Sequence, residues 1–140
     1  MFKAYYGGFI TMNNKILTMK LLKESLAVCR LEKDDKIPKF ATEGEFFSIT
    51  KTEDELSLVC SSKNVPDTIK CEKDWRALKV EGPLDFSLIG ILSSISSILA
   101  KNKVSIFAIS TYDTDYILVK DKDLDNAITA LEKENYNILK

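Results

Sequence analysis

Histidine is absent from the sequence. Without imidazole there is no Ser-His-Asp triad, no Cys-His dyad and no histidine-held metal. Cysteine is scarce: Cys29, Cys60 and Cys71 stand far apart, odd in number, with no C-x-x-C pair. That pattern fits neither a disulfide framework nor a thiolate metal site, and it reads as a chain from a reducing compartment. A basic surplus is missing too. Lys plus Arg number 20 against 21 Asp plus Glu, for a net charge of -1, and a non-specific nucleic-acid binder needs excess cations to displace counterions from phosphates. No apolar run reaches membrane-spanning length: Leu88–Ala100 is short and broken by serines. The start, Met1 to Gly8, lacks the charged-then-apolar pattern of a signal peptide. The expectation is a soluble cytoplasmic chain without metal, cofactor, nucleic-acid or membrane partner.

What is present is an ordinary globular mix. The 140 residues are 45% apolar and 29% charged, enough for one domain or two small lobes with a core that folds without staples. Met12 is a second plausible start, and residues 1–15 read as an N-terminal extension.

Residues 75–140 have the clearer pattern. Trp75–Glu81 alternates, with Leu78 and Val80 on one face and Lys79 and Glu81 on the other, as a strand with one solvated side does. Gly82-Pro83 stops it. Leu88, Ile91, Leu92, Ile95, Ile98 and Leu99 then recur at helical spacing, with Asp85 or Ser87 as N-cap and Asn102 as a left-handed end. Val104–Ser110 reads as a strand buried on both faces, Thr111–Thr114 as a turn, and Asp115–Lys120 as the returning strand. Asp121 or Asp123 opens a second helix whose apolar face is Leu124, Ala127, Ile128 and Leu131. Tyr136–Leu139 adds a last strand. The order β-α-β-β-α-β is the split, ferredoxin-like unit of an α+β fold. Residues 16–74 read as a degenerate copy of the same unit with shrunken helices: strands near Ser25–Leu31, Phe46–Thr50 and Glu55–Cys60, and one helical turn near Ile37–Ala41.

Two polar segments are the candidate site. Gly82–Ser87 joins a strand to a helix, and the helix start favours a carboxylate while the Asp85 side chain suits an ammonium. A free α-amino acid carries both charges. The competing reading is that Asp85 only caps the helix. Ser110–Asp115 suits the other wall of a cleft or, as plainly, a solvated hairpin turn. Neither segment is a P-loop or a metal array, and no catalytic constellation is legible. A small enzyme working through carboxylates remains the weakest of the readings.

The stretches Trp75–Leu92 and Val104–Val119 resemble an ACT domain of a family of small bacterial proteins, and the likeness extends more weakly over residues 20–74, including Asn64-Val65-Pro66. The same type of domain occurs in aspartokinase regulatory regions and in CASTOR-type arginine sensors. The resemblance implies paired ACT units and effector binding between the loop after the first strand and the second strand of a neighbouring unit. By position it places Asp85, Phe86 and Ser87 on that loop, Ile106, Phe107 and Ala108 on the facing strand, and Thr111 and Asp113 at its exit. It further implies a stand-alone amino-acid sensor, homodimeric, acting on a regulated protein partner. The alternative is a structural dimerisation or docking module with no small-molecule ligand. The kinase domain of aspartokinase is missing, so its activity does not carry over.

Overall fold

The computed structural model describes residues 17–82 and 90–140. The readings placed on residues 1–15 and on Asp85, Phe86 and Ser87 lie outside that range. The chain divides into two compact units, one drawn from Met1–Leu22 and Leu78–Lys140, the other being Lys23–Ala77.

In the first unit, strand β1 (Thr18–Leu21) is followed, after the other unit, by the end of β5 (Cys71–Val80). Helix α1 (Ile91–Lys101), β6 (Ile106–Ser110), β7 (Asp115–Lys120), α2 (Leu124–Lys133) and β8 (Asn137–Leu139) complete it. β5-α1-β6-β7-α2-β8 is the expected βαββαβ order. β6 and β7 form the expected antiparallel hairpin, with Ile106 opposite Val119 and Ser110 opposite Asp115. β7 also pairs with β5, which leaves β6 at an edge among the described strands. β1 was not legible as a strand. It pairs antiparallel with β5, Met19 opposite Val80, and parallel with β8, Met19 opposite Ile138. It thereby stands between the first and last strands of the unit, which would otherwise lie side by side.

The packing follows the periodicities. Met19, Leu78, Val80, Ile117 and Val119 alternate onto one sheet face. Ile91, Ile95 and Leu99 of α1 and Leu124, Ala127, Ile128 and Leu131 of α2 cover that face, at the three- and four-residue offsets of a helix stripe. Both helices end the same way. Val104 N–H bonds Leu99 C=O at 2.9 Å with Lys103 at φ 61°, and Tyr136 N–H bonds Leu131 C=O at 3.1 Å with Asn135 at φ 71°. Each is a Schellman end with its left-handed residue just past the helix. The left-handed residue after α1 is thus Lys103 and not Asn102, whose φ is -97° and whose side-chain amide instead donates to Ile98 C=O.

In the second unit, β2 (Leu26–Leu31), β3 (Ser48–Lys51), β4 (Leu56–Ser61) and β5 as far as Ala77 pair antiparallel in the order β3-β4-β2-β5. Its described helical turns are two 3-10 segments, Lys39–Thr42 and Ser62–Asn64. A register shift between Leu26 and Val28 coincides with Asp74 at φ 69°, a bulge in β5. The core is Ala27, Cys29, Ala41, Leu56, Leu58, Cys60 and Val65. The strand read from Trp75 in the sequence pattern begins four residues earlier, at Cys71.

Candidate functional site

One end of the first unit gathers four segments. β5 leaves the sheet at Val80, and Glu81 N–H donates to Thr18 C=O at 2.8 Å. The turn between β6 and β7 reaches the same end, because the buried Thr114 hydroxyl donates to Val80 C=O at 2.5 Å. β8 begins there, with Asn137 opposite Thr18. Tyr136, just before β8, donates its hydroxyl to Ser94 Oγ at 2.9 Å, which sets the first turn of α1 at this end too.

α1 begins differently from the sequence expectation. Gly90 occupies the cap position at φ 87°. A left-handed residue cannot belong to a right-handed helix, so α1 starts at Ile91, and neither Asp85 nor Ser87 is its N-cap. Glycine takes this conformation without the Cβ clash other residues meet. It also has no side chain, and no side-chain bond from the described residues caps α1. The first N–H groups of a helix lack intrahelical acceptors and carry its partial positive charge. Gly90 is the residue the sequence pattern passed over; a glycine directly before the apolar Ile91-Leu92 pair was the available signal.

β6 also departs from expectation. Ala108 and Ser110 are exposed and Ile106, Phe107 and Ile109 only partly buried, because β6 is an edge strand and not a central one. Alternation puts Ile106 and Ala108 on the helix-covered face and Phe107 on the other. The three side chains therefore do not converge; what they share is one strand at the sheet edge.

The turn is internally satisfied. Thr111 N–H donates to Thr114 C=O at 2.8 Å, and the Thr111 hydroxyl accepts from Thr114 N–H at 3.2 Å and donates to Thr114 C=O at 3.0 Å. Asp113 is exposed, and Tyr112 is 82% exposed. Ser110 Oγ donates to Asp115 Oδ1 at 2.5 Å, and Lys79 Nζ lies 3.7 Å from Glu81 Oε2. The end of the unit thus sets the start of α1, whose cap residue has no side chain, beside strand ends and a turn that carry Glu81, Asp113 and Asp115. Of the expected residues, the structure places Thr111 and Asp113 here, with Ile106, Phe107 and Ala108 on the strand leading to them.

The family model for the ACT domain matches residues 70–133, and a second model, described as an N-terminal domain, matches residues 24–68. The chain belongs to the ACT-domain family. This ACT protein is 32% identical over 101 residues to the cytosolic arginine sensor for mTORC1 subunit 1 of Bos taurus, an alignment covering 64% of this chain and 31% of the sensor. It spans about a third of the length of that relative. The crystal structure of protein Atu0741 from Agobacterium tumefaciens superposes with a TM-score of 0.84 at 35% identity, over 89% of this chain and 93% of the other. The putative C-terminal regulatory domain of aspartate kinase from Porphyromonas gingivalis shares the fold, with a TM-score of 0.58 at 20% identity over 87% and 99% of the two chains. No helix among the described residues of the ACT protein is long and apolar enough to cross a membrane.

Proposed function

We propose that this ACT protein is a stand-alone amino-acid sensor, with the ligand held at the end of the first unit where α1 begins. The observation that carries the reading is the pairing of opposite electrostatic features there. A helix start whose cap residue is a glycine suits a carboxylate, and the carboxylates of Glu81, Asp113 and Asp115 lie on the adjoining strand ends and turn. An α-amino acid presents both charges on one carbon. Asp85, Phe86 and Ser87, on the chain between β5 and α1, are assigned to the ligand's ammonium and side chain, and Asp113 to the opposite wall. The similarity to an arginine sensor and to a kinase regulatory domain supports a regulatory role with a protein partner in the cytoplasm.

The edge strand β6 supports a second element of the reading, a homodimer. An exposed edge is a template for another strand, and a second copy brings an identical edge with it.

A thermal-shift screen of the common amino acids tests the sensor. Ligand at a hundredfold excess over its Kd adds about 2.7 kcal/mol, and in a chain of this size that raises Tm by several degrees. Asp85→Asn is then expected to weaken binding about tenfold or more in titration calorimetry, each 1.4 kcal/mol being a factor of ten, with Tm of the free protein unchanged. A flat response to every amino acid at millimolar concentration refutes the sensor and favours the dimerisation or docking module. Light scattering reads the assembly separately, and a clean monomer at high micromolar concentration refutes the dimer.

A further inference from the structure

All three cysteines, scattered in the sequence, meet in the second unit. Cys29 on β2 lies directly opposite Cys71 on β5. Arg30 N–H donates to Lys70 C=O at 3.0 Å. A bond joining the residue after one partner to the residue before the other marks the 29–71 pair as non-hydrogen-bonded. Such pairs bring their Cα atoms to about 4.5 Å, with side chains close on a shared face, inside the range of about 4.4–6.8 Å that disulfides span. Cys60 on β4 stands opposite Ala27, so it shares that face one diagonal step from Cys29. The three residues belong to one apolar cluster. Cys29 and Cys60 are buried, at 1% and 0% exposure, whereas Cys71 is half-buried.

We propose that Cys71 and Cys29 form a reversible dithiol–disulfide pair oxidised by a hydroperoxide, with Cys71 as the entry thiol and Cys29 as the resolving thiol. Access sets the order, since of the three only Cys71 is open to solvent. The Cys71 sulfur attacks the terminal peroxide oxygen and the O–O bond breaks. The remaining oxygen fragment leaves with the thiol proton as alcohol, or as water from hydrogen peroxide, and Cys71 becomes a sulfenic acid. The Cys29 sulfur then attacks the Cys71 sulfur. The S–O bond breaks and the hydroxyl leaves as water with the Cys29 proton. Two thiols have lost two electrons to one peroxide. Two equivalents of a small thiol reverse the step by exchange. Hydrogen bonding with Cys60, then burial, pushes the Cys29 thiol well above its ordinary pKa. It is therefore held protonated, which leaves Cys71 as the thiol that meets the peroxide first.

The full chain, treated with hydrogen peroxide and then alkylated after denaturation, is expected to lose two hydrogens in mass and to keep one alkylatable cysteine, Cys60. Peptide mapping should show a Cys29–Cys71 link that dithiothreitol reverses, and the oxidised protein should melt higher than the reduced one. Cys60→Ala should retain the link and Cys71→Ser should abolish it. Three alkylatable cysteines after treatment, a Cys71 sulfinic acid with Cys29 still free, or a Cys29–Cys60 link would each overturn the proposal. The parent chain alone decides between these outcomes, so it does not depend on either variant folding.

Discussion

The contact that joins the hairpin turn to β5 is Thr114 Oγ1 to Val80 C=O, and Thr114→Val removes it with little change of shape. Val80 and Met19 form a non-hydrogen-bonded pair, as the Glu81 N–H to Thr18 C=O bond shows. The Val80 carbonyl therefore points away from β1 and toward the β7 side, where the Thr114 hydroxyl meets it. Thr114 is 4% exposed and Val80 fully buried, so water does not readily replace the lost donor. A buried acceptor that loses its donor costs about 1–3 kcal/mol, while the retained valine methyl keeps the packing; a net loss of about 1–2 kcal/mol follows. Unfolding entropy of about 2.1 cal/mol/K per residue gives roughly 0.3 kcal/mol/K for this chain, so the expected fall in Tm is about 3–7 °C. The remaining bonds between Thr111 and Thr114 use only the backbone of Thr114, so the turn itself should persist. The assay is a circular-dichroism melt of Thr114→Val beside Thr114→Ala. If the valine variant melts with the parent while the alanine variant falls, the methyl and not the hydroxyl holds this corner, and the reasoning fails.

Two further outcomes follow from the helix ends and the site. Burial raises the Tyr136 phenol above its ordinary pKa of 10.0, more than its hydrogen bond to Ser94 lowers it. Its contribution is then complete below pH 10, the value in the unfolded chain, and is lost as the pH rises through the higher folded value. Urea titrations between neutral and alkaline pH should show Tyr136→Phe less stable by about 1 kcal/mol at neutrality and flatter than the parent above that point; parallel alkaline losses would count against the buried phenol. Lys103→Gly replaces a side chain held at φ 61° by the residue that suffers no clash there, and should raise stability by up to about 1 kcal/mol. A lower Tm in that variant would mean that Lys103 contributes more through its side chain than its backbone conformation costs.

The periodicity of residues 75–140 determined much of the first unit from the sequence alone. Leu78 and Val80 alternate onto the core, Ile95 and Leu99 fall on one helix stripe, and Leu124, Ala127, Ile128 and Leu131 on another, because burial repeats every second residue in a strand and every three to four in a helix. The turn at Thr111–Thr114 was legible from its polar turn residues. Tertiary structure decided what depends on neighbours. Val104–Ser110 is apolar enough for a central strand, and only the pairing order places Ile106–Ser110 at an edge with Ala108 exposed. Thr18–Leu21 has too short a pattern to declare itself, and it is a strand because β5 and β8 offer backbone on both sides. Asp85 looked like a cap from its distance to an apolar run, but the helix starts after a left-handed Gly90, a backbone angle that composition does not encode. The cysteines make the same point. Their sequence spacing argued against a disulfide framework or a thiolate metal site, and strand register, which no local pattern carries, sets Cys29 against Cys71.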